Sequence, residues 1–141
     1  MPKPCFIIRS RLLGCSNKKF NDTDHGGVVY YANYLKWFEI GRTEILRQLG
    51  FDYADFEKQG LIAPVVEVKC NYRGPAAYND IIIIKTTIDN IGNSSIKFNY
   101  EIVNKKNGKL LAEGHTVNVF VNKKTMKSAG IPDELRKALQ N

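Results

Sequence analysis

Apolar and polar positions divide this chain into one long helical stretch followed by a run of strands. Phe6-Ile7-Ile8-Arg9-Ser10-Arg11-Leu12-Leu13 has the make-up of a first strand, and Gly14–Lys19 reads as a turn or irregular segment. From Tyr31 onward apolar residues fall at i, i+3, i+4 intervals, placing Tyr31, Tyr34, Leu35, Phe38, Ile45 and Leu49 on one stripe. The pattern stops at Gly50, a fitting C′ glycine. At about 1.5 Å per residue such a helix is roughly 28 Å long, enough to cross a whole sheet. Gly41 falls in the centre of the stripe, where glycine costs roughly 1 kcal/mol against alanine. Its presence there predicts close approach of another backbone. Asp52 is placed to cap a short second helix, Tyr53–Gln59.

The rest reads mostly as strands. Val66, Val68, Cys70 and Tyr72 alternate with Glu67, Lys69, Asn71 and Arg73, the period of a half-buried strand that Gly74-Pro75 ends. Ile81–Ile91 is more continuously apolar and predicts a central strand. Asn90-Ile91-Gly92-Asn93 turns the chain into the alternating Ile96, Phe98, Tyr100 and Ile102, and Asn107-Gly108 is a hairpin signal leading to Leu110–Val121. Pro132 followed by Asp133-Glu134 opens a short terminal helix. An antiparallel sheet with one buried face needs a cover, and the long helix is the only element of suitable size. The prediction is one α+β domain over residues 1–141, a sheet curled around one helix.

Composition narrows the partners. The 43% hydrophobic and 25% charged content fits a folded globular chain, and 21 Lys+Arg against 14 Asp+Glu leave a net charge of +7. A basic protein attracts polyanions, but its lysines and arginines are scattered and form no nucleic-acid-binding motif, so no nucleic-acid partner is expected. Cys5, Cys15 and Cys70 are odd in number and widely spaced, which fits a reducing compartment and neither a disulfide framework nor a zinc site. The longest apolar run, Ile81–Ile84, cannot span a bilayer, and the N-terminus lacks a signal peptide's apolar core. A cytoplasmic protein without membrane contact is the expectation.

The chemistry points to Phe20–Tyr34. Asp22 and Asp24 stand in a short polar loop, Gly26 and Gly27 follow, and the helix starts at once. An acid is thereby set beside the unpaired N–H groups of a helix start, which hold developing negative charge while the carboxylate serves as base or nucleophile. Acyl-group hydrolysis follows as the natural reaction. As loop residues, such aspartates more often hold turns or cap helices.

The string Asp22-Thr23-Asp24-His25-Gly26-Gly27-Val28-Val29-Tyr30-Tyr31-Ala32-Asn33-Tyr34, continuing through Trp37-Phe38-Glu39 to Arg42-Thr43-Glu44, resembles the hotdog-fold acyl-CoA thioesterases, in the 4-hydroxybenzoyl-CoA thioesterase and YbgC-like branch. Tyr72-Arg73-Gly74-Pro75-Ala76 with Asp80 resembles that family's second-strand entry. The resemblance implies a sheet of about five strands around one helix. It assigns the chemistry to Asp24 and polarisation of the thioester carbonyl to the amide of Tyr31, and it implies a homodimer or homotetramer. Many YbgC-like members carry histidine where this chain has Tyr31, and tyrosine is similar to the hydroxybenzoyl branch. His25 and Gly27 are candidate supporting residues; the resemblance gives His25 no role, but it adjoins Asp24 in sequence, where it could shuttle a proton or orient the carboxylate, and a solvent-facing loop histidine is an equally good account.

Other positions carry weaker assignments. Tyr30 and Tyr34, with Trp37 and Phe56, are candidates to line an acyl pocket, although aromatics at helical spacing are usually core. Arg73 and Lys85, with Lys69, Lys123 and Lys124, are candidates for a rim holding coenzyme A phosphates; solvated strand faces are the blander account. Glu44 is the runner-up catalytic acid, Glu39 and Arg42 read as a helix-borne ion pair or interface contact, and His115, which shares parity with Val117, Val119 and Val121, reads as a satisfied core or interface histidine unless Gly114 hosts a bulge that turns it out. No residues have metal-ligand spacing. Coenzyme A supplies its own leaving thiolate, so no further cofactor is expected. The sequence thus predicts hydrolysis of a short-chain or aryl acyl-CoA. The rivals are hydrolysis of acyl groups on acyl carrier protein and non-catalytic binding of acyl-CoA.

Overall fold

The computed structural model describes residues 5–11, 32–76 and 80–140, the first of these as backbone. In chain order the elements are β1 (Cys5–Arg11), α1 (Asn33–Gln48), α2 (Tyr53–Lys58), β2 (Leu61–Ile62), β3 (Val65–Tyr72), β4 (Ile81–Ile91), β5 (Ser95–Asn104), β6 (Leu110–Val119), β7 (Val121–Asn122) and α3 (Asp133–Gln140). Five strands form one antiparallel sheet in the order β1-β4-β5-β6-β3, and β2 pairs with β7. The helix α1 packs on β4, β1, β5 and β6. This is the expected α+β arrangement.

The core lies between α1 and the inner face of the sheet. Phe38 and Ile45 meet Ile82, Ile84 and Ile88 of β4, Ile96, Phe98, Tyr100 and Ile102 of β5, and Ala112 of β6. The Phe38 and Tyr100 rings stack with centroids 4.3 Å apart. Tyr100 shares a hydrogen bond of 2.6 Å with Thr116 Oγ1, and burial pushes its phenol up to about 12. The Arg42 charge lies close enough to Tyr100 and Tyr53 to oppose the rise that burial gives their phenol pKa values.

Both ends of α1 have identifiable causes. Gly50 adopts φ +92°, its N–H bonds Arg47 O at 3.0 Å and Phe51 N–H bonds Leu46 O at 2.9 Å. That pair of bonds is the Schellman closure a C′ glycine permits. Asp52 caps α2 as expected, its Oδ1 accepting from Ala54 N at 3.0 Å. The buried stripe is shifted from the expected one, since Trp37 and Leu46 are buried while Leu35 is 39% exposed.

Three further expectations are corrected. A Cβ added at Gly41 would lie 2.2 Å from Thr86 Oγ1 and 3.1 Å from Ile84 Cγ2, so the glycine admits side chains of β4 and not a backbone. β3 is an edge strand that α1 does not cover, and Val66, Val68 and Tyr72 are 61%, 47% and 46% exposed; only Cys70 of its apolar set is half-buried. His115 lies on the outer face, because the inward set of β6 is Ala112, Thr116 and Asn118; Val121 belongs to β7 and does not report the parity of β6.

Candidate active site

Asp24, His25, Gly27, Tyr30 and Tyr31 lie outside the described residues, so the described part of the site is the helix start and what packs around it. Ala32 occupies the N-cap of α1 and offers no side-chain oxygen to the first-turn amides. No acidic residue stands in that first turn. A helix start without a side-chain cap keeps its dipole for whatever polar group the preceding loop or a ligand brings.

Tyr34, one turn into the helix, is buried and donates to Gly74 O at 3.4 Å. Its ring meets Trp37 edge-on at 4.7 Å and Tyr72 at 5.1 Å with planes 89° apart. Burial raises its phenol pKa, and negative charge at Cys70 and Asp80 raises it further against an opposing hydrogen bond from the Ala76 backbone. The phenol is therefore a neutral donor that ties the 73–76 segment to the helix start. Gly74 N and Arg73 N both bond Leu111 O, which fixes that segment on the sheet.

The candidate residues divide by location. Tyr34, Tyr72, Arg73 and Asp80 gather at the helix start. The Arg73 guanidinium leaves the loop toward the outer face and pairs with Glu113 at 2.7 Å. Lys85 stands on the outer face of β4, with the sheet between it and the core. Lys123 is at the far end, 3.6 Å from Glu57, with its N–H on Gly60 O. Phe56 is core at that same end, edge-on to Phe120 at 5.2 Å. Within one chain the basic residues expected on a single rim are thus spread over two ends and one face.

Glu44 pairs with Arg47 and accepts from Gln48 at 3.1 Å, and the Arg47 hydrogen bond holds its carboxyl down to about 2. A base that acidic is poorly matched to proton transfer near neutral pH. Tyr72 and Asp80 are the neighbours of the site that pattern alone did not single out. The alternation of β3 places Tyr72 on a strand face without saying that it abuts Tyr34, and the helix–sheet contact that brings Asp80 near Tyr34 is long-range. Among the described residues no three His, Cys, Asp or Glu side chains cluster as metal ligands. No described helix is long and apolar enough to cross a membrane.

Residues 6–139 match the family model of the thioesterase-like superfamily. The putative acyl-CoA thioesterase YneP of Bacillus subtilis (strain 168) is 35% identical over 120 residues, covering 85% of this chain and 83% of that protein. The acyl-CoA thioester hydrolase YbgC of Escherichia coli O157:H7 is 34% identical over 116 residues, covering 82% and 86%. Among solved structures, a DHNA-CoA thioesterase from Staphylococcus aureus superposes with a TM-score of 0.86 at 30% identity, covering 96% of this chain and 89% of that one.

Proposed function

This chain belongs to the thioesterase-like superfamily of hotdog-fold thioester hydrolases, and from that premise we propose that it hydrolyses short-chain or aryl acyl-CoA with Asp24 as the reacting acid. The observation that carries the reading is the start of α1. Its N-cap is an alanine, its first turn holds no acid, and the Asp22-Thr23-Asp24 string precedes it in sequence. A thioester oxygen directed at the Tyr31 N–H gains a fixed donor at the point where negative charge develops, an effect typically worth about 2.7–4 kcal/mol.

Two routes fit this reading. Asp24 attacks the carbonyl carbon, the C–S bond breaks to release the coenzyme A thiolate, and water cleaves the mixed anhydride to restore the carboxylate. In the other route Asp24 takes a proton from water, which attacks directly, and the thiolate leaves with a proton. His25 is placed by sequence to pass that proton, and Gly27 lets the loop approach the ligand without a side chain in the way. Neither route draws on a metal or redox group, because the substrate carries its own leaving thiolate. Tyr30, Tyr34 and Tyr72 form the acyl-side wall in this reading, and Arg73 is the candidate phosphate contact, Lys85 standing on the outer face of the sheet. The uncovered edge of β3, with Val66, Val68 and Tyr72 exposed, supports pairing with a second copy. The three widely spaced cysteines support a cytoplasmic setting.

The test is Asp24→Asn. The variant is expected to keep the fold by circular dichroism and to lose kcat for thiol release by about a hundredfold or more. Near-normal thiol release would remove Asp24 from the chemistry. In a single turnover in ¹⁸O-labelled water, label entering the Asp24 carboxylate identifies the anhydride route, with water attacking the Asp24 carbonyl carbon.

A further inference from the structure

At one point β3 passes closer to its neighbour than any side chain would permit. Cys70 of β3 pairs with Gly114 of β6, and Gly114 pairs on its other side with Tyr100, which is buried on the inner face. Gly114 therefore turns its missing side chain toward that inner face. A Cβ built there would lie 1.9 Å from Lys69 O and 3.1 Å from Cys70 Cα. These are backbone atoms, which cannot swing aside as a side-chain tip does, so the backbone of β3 rests on the inner side of β6 at this point. The tilt carries Cys70 and Tyr72 toward α1. Cys70 becomes half-buried, and the Tyr72 ring stands on Tyr34 at 5.1 Å, with Tyr34 in turn edge-on to Trp37 at 4.7 Å. The Tyr34 hydroxyl, bonded to Gly74 O, holds the same closure at the end of the strand. One pair of rings thus shuts the seam between α1 and the edge strand, beside the helix start.

We propose that Gly114 is a positioning residue that sets the depth of the acyl site, letting β3 press Tyr72 onto Tyr34 and so admitting short or aryl acyl groups while shutting out long chains. Resting on the hydrolytic reading above, this role belongs to a residue that touches no substrate and acts through Tyr72. A carbon and a carbonyl oxygen in contact sit about 3.3–3.6 Å apart, so a side chain at 114 requires β3 to retreat by roughly 1.5 Å. An edge strand outside the cover of α1 makes that movement without disturbing the rest of the core. The retreat takes Tyr72 off Tyr34 and opens an apolar slot lined by Tyr34, Trp37 and Cys70. A longer chain then gains burial with each methylene that enters. With the ring pair closed, a short acyl group ends against the exposed side of Tyr72, and the outer methylenes of a long one are left in water.

The test is the ratio of kcat/KM for octanoyl-CoA to that for propionyl-CoA, read by thiol release from the full chain. Both rates come from one preparation, so a loss of folded protein cancels and only a change in the shape of the site moves the ratio. Wild type is expected to favour propionyl-CoA. Gly114→Ala and Tyr72→Ala are each expected to raise the ratio by about tenfold or more, the usual scale of discrimination by methylenes in an apolar pocket. The double variant G114A/Y72A is expected to match Y72A alone, because the ring is the means by which the glycine acts. A wild type that prefers octanoyl-CoA would overturn the proposal, as would a folded G114A with the wild-type ratio or a double variant in which the two effects multiply. Where circular dichroism shows G114A unfolded, Y72A decides: a raised ratio supports the closure and an unchanged one overturns it. Trp37 is the single tryptophan of the chain and stands against Tyr34, so its emission reports ligands at the seam without catalysis. Should wild type release no thiol from either substrate, the hydrolytic reading falls by itself. The ratio of affinities for the same two ligands, read from Trp37 emission, is then expected to shift toward octanoyl-CoA in both variants, and affinities that keep their wild-type ratio overturn the role of Gly114.

Discussion

At the scale of single residues, the contact of Gly41 with Thr86 decides how closely α1 sits on the sheet. Thr86 is fully buried on β4, and its Oγ1 has no hydrogen-bond partner among the described residues. A buried hydroxyl left unpaired is a net cost, and the glycine above it forgoes roughly 1 kcal/mol of helix propensity. Gly41→Ala drives a methyl to 2.2 Å from that hydroxyl and is expected to destabilise the fold by about 1–3 kcal/mol, the usual penalty of overpacking. Thr86→Ala removes the obstructing oxygen, so the double variant G41A/T86A is expected to regain most of the loss. Urea unfolding of the four proteins gives the coupling directly, and an additive cycle would mean that the two residues do not compete for the same space. The sequence marked Gly41 as a site of close approach, yet the identity of the approaching atoms depends on the register between β4 and α1, which no local pattern carries.

At the scale of elements, the signals that survived were those set by local chemistry. The Gly50 closure, the Asp52 cap, the turn at Asn107-Gly108 and the start of α3 after Pro132 each depend on a few neighbouring residues and were legible. Burial of a strand face was not. Val66, Val68, Cys70 and Tyr72 alternate as a buried set would, but β3 is the last strand of the sheet and one helix is too narrow to cover it. The candidate site divides in the same way. Its acid and its helix start could be read from one contiguous string, whereas the packing of Tyr34 against Tyr72 and its hydrogen bond to Gly74 O join residues nearly forty positions apart. An exposed apolar strand edge is a liability that proteins either charge or cover, and here it carries valines. V66K/V68K is therefore expected to leave the monomer fold intact and to halve the mass of the assembly in light scattering. Retention of full mass would show that the β3 edge is not an interface.

At the scale of the whole molecule, the charges of the described residues are distributed unevenly. The end at which α1 begins carries Asp80, Arg73 paired with Glu113, and the β5–β6 turn with Lys105, Lys106 and Lys109, joined to β4 by the bond from Lys105 N to Ile81 O. The opposite end mixes Lys58, Lys123, Lys124 and Lys127 with Asp52, Asp55, Glu57, Asp133 and Glu134. Excess positive charge near the helix start raises the local concentration of anionic substrates, and ionic strength sets its reach, which falls from about 10 Å at 0.1 M salt to about 3 Å at 1 M. A small anion threading into a site is guided by a few nearby charges, whereas an acidic carrier protein is guided by the summed field of a whole surface. Presented with one acyl group on coenzyme A and on acyl carrier protein, the enzyme is expected to show the higher kcat/KM with coenzyme A at every ionic strength, with a shallow decline as salt rises. A carrier-bound substrate that is preferred at low salt and loses its lead at high salt would instead identify the basic end as a protein-docking surface, leaving the same acid and the same helix start to act on a thioester delivered by a protein.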